Sequence, residues 1–182
     1  PYDGVSIVTV EGSADAVING NLEIGYRHSA LATLNLNGGR LEAGTIIRET
    51  GTNTMAFVQF NGGTFAVRQS GAIFGGVDND HPLTVLAHED GAIIETPPDT
   101  FADLNLPLCA FTGKVVRSIN ITKGGSGYIA PPLVTISGGG GSGATAVAEI
   151  DRDSGEIVAV RVTAGGSGYS SAPTLTFRGG GG

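Results

Sequence analysis

The chain lacks most of what an enzyme, a nucleic-acid binder or a membrane protein is built from. It has one cysteine, one methionine and no tryptophan in 182 residues. Cys109 has no partner for an internal disulfide. Its setting, Leu108-Cys109-Ala110, reads as a small buried hydrophobe, with intermolecular pairing as the other option. Charged residues are only 15% of the chain, and acids outnumber bases 17 to 10, for a net charge of −7. A surface that tracks phosphates needs clustered Lys and Arg, so nucleic acid is not an expected partner. No apolar run reaches the length of about 18 residues that a spanning helix needs, so no membrane span is expected. Helical spacing of apolar residues is absent throughout. Scarce cysteine suits a cytosolic chain and a bacterial extracellular β-repeat protein equally. The sequence opens on Pro1 with no signal peptide, which points to processing or a fragment.

What the chain has instead is glycine, 31 residues of it. Glycine loses the most entropy on ordering, so such a chain folds only if its glycines sit where a turn or a close approach demands them. The repeats show that they do. In the first half Leu36-Asn-Gly-Gly-Arg-Leu41 returns as Phe60-Asn-Gly-Gly-Thr-Phe65, with a looser copy at Val17-Ile18-Asn19-Gly20-Asn21-Leu22. Gly71-Ala-Ile-Phe74 returns, at a slightly shorter interval, as Gly91-Ala-Ile-Ile94. The turns Asn37-Gly38-Gly39 and Asn61-Gly62-Gly63 accept the positive φ that joins strand to strand. A spacing near twenty fits one coil of a solenoid, whose inward face is buried only by the coils above and below it. The strands between these turns alternate at period two, Leu34 and Leu36 against Asn35 and Asn37, and Phe57 with Phe60 around Val58.

In the second half a longer unit repeats. Ser118 to Tyr128 aligns with Ala159 to Tyr169, and at the same offset Pro132 to Gly141 aligns with Pro173 to Gly182. The shared motif is Gly124-Gly125-Ser126-Gly127-Tyr128, repeated as Gly165-Gly166-Ser167-Gly168-Tyr169. Ile119 then matches Val160, Ile121 matches Val162, Val134 matches Leu175 and Ile136 matches Phe177, the period-two pattern of half-buried strands. Ala144 to Ile150, the turn Asp151 to Gly155, and Ile157 to Thr163 read as a hairpin. Thr96-Pro-Pro-Asp-Thr-Phe101 cannot be a central strand. The expected organisation is all-β: a β-solenoid over residues 1–110, then a glycine-rich short-strand module over 111–182, with repeats at about 114–155 and 156–182. Gly182 matches Gly141, after which the first copy continues into Ser-Gly-Ala and a strand, so the chain is expected to stop within a repeat.

Residues 15 to 110 resemble the autotransporter-associated β-strand repeats of large bacterial surface proteins. Leu34 to Ile46 and Phe60 to Phe65 carry the likeness, and Gly91 to Thr96 followed by Leu104 to Leu108 resembles a closing rung. Gly124 to Tyr128, Gly138 to Ala144 and Gly165 to Tyr169 resemble glycine-rich repeats of bacterial surface and phage fibre-like proteins. The resemblance implies an extracellular, cell-surface location and a long β-rich parent.

The remaining chemistry is thin. Gly138-Gly-Gly-Gly-Ser-Gly-Ala144 lacks the Lys-Ser/Thr pair of a phosphate loop, and no helix pattern follows it. Asp151, Asp153 and Glu156, or Asp78 and Asp80, offer oxygens to calcium but complete no binding ladder, and they suit solvated turns. His28, His81 and His88 have no metal-ligand spacing. Carboxylates such as Glu42, Glu49 and Glu95 could meet from successive coils in a polysaccharide-cleaving enzyme. Tyr128 and Tyr169 either stack on sugars or close over their glycine turns. The sequence therefore predicts a non-enzymatic structural subunit of an extracellular fibre or matrix. Its first expected partner is itself, head to tail or by strand addition, with no cofactor and no metal. A glycan-binding adhesin or phage fibre segment, with surface glycans as partner, and a β-solenoid polysaccharide-cleaving enzyme are the alternatives.

Overall fold

A computed structural model describes residues 4–25, 29–48, 55–76 and 82–181. Among them there is no helix, and the chain divides into two compact units, residues 1–110 and 111–182. In the first unit β1 (Gly4–Glu11), β2 (Asp15–Val17) and β3 (Leu22–Ile24) make one coil. The next holds β4 (Ser29–Asn37), β5 (Arg40–Ala43) and β6 (Ile46–Arg48). A third holds β7 (Met55–Phe60), β8 (Gly63–Val67), β9 (Gly71–Ala72) and β10 (Phe74–Gly75). Then come β11 (Leu83–Ala87), β12 (Ala92–Glu95), β13 (Ala102–Asp103) and β14 (Leu108–Ala110).

Pairing between coils is parallel, in the orders β1-β4-β7-β11-β14, β2-β5-β8-β12, β3-β6-β10 and β9-β13. This is the expected stacked β-solenoid, of about three turns. Ser6 lies beside Ala32, Ala32 beside Ala56 and Ala56 beside Leu83, so each pairing marks the advance of one coil. The core is a set of vertical rows: Leu34 and Val58, Leu36 and Phe60, Leu41 and Phe65, Ile46 and Phe74 are all 0 or 1% exposed. Each side chain of this size contributes roughly 1.5–3 kcal/mol by leaving water, and no single coil could bury it.

Several details depart from the sequence reading. The match of Gly71 with Gly91 does not stack, because Ala92 pairs with Gly63 and not with Ala72. Asn19-Gly20 stands at a different corner from Asn37-Gly38: Gly20 O accepts a bond from Gly44 N (2.7 Å). Phe57 points away from the row of Val58 and Phe60, since neighbouring strand residues face opposite sides, yet it is buried. Asn35, which alternates with the core residues Leu34 and Leu36, is fully buried as well. It belongs to a polar row in which Asn35 Nδ2 donates to Thr9 Oγ1 (3.3 Å), Gln59 Nε2 donates to Asn35 Oδ1 (3.4 Å), and His88 Nε2 lies 3.0 Å from Gln59 Oε1. Cys109 is exposed, because β14 turns it away from the core that Leu108 packs against.

The second unit is an antiparallel sheet in the order β17-β16-β15-β18, built from β15 (Leu133–Ser137), β16 (Ser142–Asp151), β17 (Glu156–Ser167) and β18 (Thr174–Arg178). Its core gathers Val134, Ala146, Ala148, Ile157 and Val160, with Ile119, Ile121, Leu175 and Phe177 packed against them. Among the described residues, 115–126 form no strand and only one isolated bridge, Ile119 with Val160, although their counterparts 156–167 form β17. The backbone turns agree in the two copies, with Gly125 and Gly127 at φ +69° and +83° and Gly166 and Gly168 at +65° and +81°. The difference is therefore one of partners: β17 has β16 along its edge.

Candidate functional site

The chain's distinctive residues are its glycine turns, and the structure puts them where strands meet. Asn37-Gly38-Gly39 and Asn61-Gly62-Gly63 are corners between the sheet of β4 and β7 and the sheet of β5 and β8. Gly12, Gly38, Gly62 and Gly91 occupy this corner in successive coils, all with φ between +61° and +82°. Gly12 N donates to Asn37 O (2.9 Å) and Gly62 N to Gly91 O (2.9 Å), so the corners are bonded along the stack. The second glycine of each motif does a different job. A Cβ on Gly39 would lie 2.8 Å from Val10 Cγ1 and 2.9 Å from Glu11 N, and one on Gly63 would run into the Leu36 carbonyl. The first glycine turns the chain; the second lets one coil sit on the next.

A polar seam on the face of β2, β5, β8 and β12 joins the coils from outside. Arg40 bonds Asp15 (3.1 Å), Glu42 (2.9 Å) and Glu95 (2.8 Å), and Arg68 bonds Glu42 (2.6 Å). These carboxylates, Glu95 first, push the Arg40 guanidinium above its usual pKa. Glu42 and Glu95 thus do converge, from coils two apart, but around a cation that joins them; Glu49 lies outside the described residues. His28, His81, Asp78 and Asp80 also lie outside them. Asn105 closes the β10 edge, with its Nδ2 donating to Phe74 O (2.7 Å) and Phe74 N donating to its Oδ1 (3.1 Å).

In the second unit each Gly-Gly-Ser-Gly-Tyr motif is embraced by the other copy. Tyr169 N donates to Lys114 O (3.1 Å), and Tyr128 N donates to Gly155 O (3.0 Å). Val116 N bonds Gly165 O (2.9 Å), as Ile157 N bonds Gly124 O (3.0 Å). Ser170 N bonds Gly139 O (2.9 Å), as Ile129 N bonds Gly180 O (2.8 Å). In every pair the two bonds are one bond with the copies exchanged, so the copies are related by an approximate twofold axis. The axis passes the bridge Ile119–Val160 and the pair Thr135–Thr176, whose members are each other's counterparts.

Tyr169 is 4% exposed, and Cβ atoms built on Gly139 and Gly141 would collide with its ring. Burial pushes its phenol above the usual pKa, partly offset by the Ala144 backbone N–H bonded to its hydroxyl. Its face is closed to a sugar, and the glycines that cover it belong to the other copy's loop. Tyr128 is half-buried in the corresponding place against Gly180. The Gly138 to Gly141 run is thus a wrapping loop, and a strand follows it.

Asp151 Oδ1 accepts the backbone N–H groups of Asp153 (2.8 Å) and Ser154 (3.1 Å). These bonds, Ser154 first, hold its carboxyl below the usual range. That is a capped hairpin turn. Among the described residues no cluster of three or more His, Cys, Asp or Glu is placed to hold a metal, and no helix is long and apolar enough to cross a membrane.

The remaining candidate is the pair of solenoid ends. Val8 lies on the same face of β1 as Val10 and beside Leu34, pointing into the core row, yet it is 45% exposed where Leu34 and Val58 are at 0%. At the other end Ala92, Ile94, Ala102, Leu106 and Leu108 are only partly buried, and Ile93, Phe101 and Leu104 are exposed. Comparison with protein-family models, curated proteins and solved structures finds no match to this chain.

Proposed function

We propose that the chain is a structural subunit of an extracellular fibre or surface matrix, assembled by strand stacking between subunits. The observation that carries this reading is Val8: an inward-facing residue of the core row, left 45% exposed with no coil beyond its own among the described residues. Among the described residues β1, β2 and β3 end their sheets at one side, and β14, β12, β10 and β13 at the other. Strand edges of this kind template further pairing unless blocked. Joining unlike ends is a heterologous contact, and one that does not close into a ring propagates as a filament. The likeness of residues 15 to 110 to the strand repeats of bacterial surface proteins supports an extracellular setting. The buried Tyr169 and the cation-bridged Glu42 and Glu95 favour this reading over the glycan-binding and hydrolytic alternatives.

Sedimentation velocity over a concentration series tests it. The wild type should shift to large species, and Val8→Lys with Val17→Lys, which places charge on the exposed side chains of the β1–β2 coil, should remain monomeric. Equal behaviour of the two proteins would refute assembly through that end.

A further inference from the structure

The chain contains three Asn-Gly pairs, Asn19-Gly20, Asn37-Gly38 and Asn61-Gly62, each preceded by a large apolar residue: Ile18, Leu36 and Phe60. An asparagine followed by glycine is open to loss of its side-chain amide, because a residue without Cβ lets its backbone nitrogen swing onto the Asn Cγ. The local sequences are nearly equivalent, so a difference in reactivity among the three has to come from the fold.

Two of the pairs are held by neighbouring coils. At Asn61-Gly62 both reacting groups are engaged with the following coil: Gly62 N donates to Gly91 O (2.9 Å), and Asn61 Oδ1 accepts the Asp90 N–H (3.5 Å). The Asn61 N–H is tied the other way, to Leu36 O (2.8 Å). Asn37 lies in β4 opposite Glu11, Gly38 bridges to Glu11 as well, and Asn37 O accepts the Gly12 N–H (2.9 Å). Both asparagines are half-buried. Bringing either glycine nitrogen onto its Asn Cγ therefore requires a corner to leave the stack.

Asn19-Gly20 is placed otherwise. The pair lies in the loop between β2 and β3, and both residues are exposed. Gly20 N donates to Ile18 O (2.9 Å), a bond across a single residue that a local rotation opens without moving a coil. Gly20 is committed to the stack through its carbonyl, which accepts Gly44 N at 2.7 Å. The coils touch closely here, since a Cβ on Gly44 would lie 3.1 Å from that oxygen.

We propose that Asn19 is a site of spontaneous modification, at which the folded chain loses the Asn19 amide while Asn37 and Asn61 keep theirs. Gly20 N gives up its proton to base and forms a bond to Asn19 Cγ. The Cγ–Nδ2 bond breaks, and the amide nitrogen takes up a proton and departs as ammonia, leaving a cyclic imide. Water then opens the ring. Cleavage between Gly20 N and Cγ gives aspartate; cleavage between Gly20 N and the Asn19 backbone carbonyl gives isoaspartate, in which the chain runs through Cβ and Cγ. One water is consumed, one ammonia is released, and nothing is oxidised or reduced. Aspartate adds charge and leaves the backbone path as it was. The isoaspartate link lengthens that path, displaces the Gly20 carbonyl from Gly44 N, and loosens the coil of β1–β3 from the next.

The test is peptide mapping by mass spectrometry on the whole chain, incubated folded at mildly alkaline pH and, in parallel, unfolded in urea. In urea the three asparagines should convert at similar rates. In the folded chain Asn19 should convert at close to its unfolded rate, while Asn37 and Asn61 slow by about tenfold or more, because each waits for a local opening. Amide exchange should show Gly44 losing protection in the isoaspartate fraction and keeping it in an Asn19→Asp protein, which carries the charge without the altered backbone. Asn19→Gln, whose longer side chain closes a ring far less readily, should abolish the change at that position. Equal rates at the three sites in the folded protein, or faster reaction at Asn37 or Asn61, overturn the proposal. So does an Asn19 that reacts in urea and stays intact in the fold. Gly44 protection that is the same in the isoaspartate fraction and in fresh protein overturns the link to coil stacking.

Discussion

Gly63→Ala separates coil stacking from turn-making. The added methyl would meet the carbonyl and Cβ of Leu36 in the coil beneath, and that carbonyl already accepts the Asn61 N–H at 2.8 Å. The neighbour is backbone, so relief requires the coils to part. Overpacking of this kind costs about 1–3 kcal/mol, and weakening the Asn61 bond adds about 1 kcal/mol, for a loss of about 2–4 kcal/mol. Gly91→Ala is the control. Its φ of +76° is strained for alanine, but nothing lies within 4 Å of the new methyl, so only the left-handed penalty of about 1–2 kcal/mol applies. Urea unfolding followed by far-ultraviolet circular dichroism reads the loss. Amide exchange at Leu36 and Phe65 assigns it to the first unit, since a chain of two units need not unfold in one step. A Gly63→Ala protein within about 0.5 kcal/mol of wild type, a routine surface effect, would refute the stacking argument.

Three further outcomes follow from the same geometry. Burial holds His88 below its ordinary 6.5, against the opposing pull of Glu89, so the folded state favours the neutral ring. Its contribution is complete above 6.5 and is lost as the pH falls from there toward the folded value, by at most about 1.4 kcal/mol per pH unit for one proton; denaturation at pH 7.5 and 5.5 should show a drop that His88→Gln reduces. Arg40→Met should lower the melting temperature of the solenoid at low salt and less so at high salt, because screening already weakens the exposed seam in wild type. Cys109 should react with a thiol reagent in the folded protein at the rate of an exposed cysteine, and protection until unfolding would contradict its placement in β14.

What the sequence disclosed, and what it withheld, divides along physical lines. The solenoid was legible because its evidence is repetitive: alternating Leu34 and Leu36, and Asn-Gly-Gly corners that recur at 37–39 and 61–63, match the coil register in which Leu36 lies beside Phe60. Copies judged by string likeness alone, Gly71 to Phe74 with Gly91 to Ile94, misled because short apolar strings recur by composition, while stacking is decided by backbone register. The polar row of Asn35, Gln59 and His88 was illegible for another reason. Alternation tells which residues share a face, and here both faces of the sheet are buried. Glu42 and Glu95 were anticipated as neighbours, but Arg40 between them, one coil from Asp15 and two from Glu95, required coordinates. The motif Gly-Gly-Ser-Gly-Tyr announced repetition; that each copy wraps the other's tyrosine has no signal in a single string.

The most direct test of the account is electron microscopy with fibre diffraction on the concentrated protein. Stacking predicts filaments whose spacing of about 4.7–4.9 Å between strands runs along the filament axis, each subunit extending its neighbour's sheets. Dispersed single molecules at every concentration, or filaments with that spacing across the axis, would contradict it.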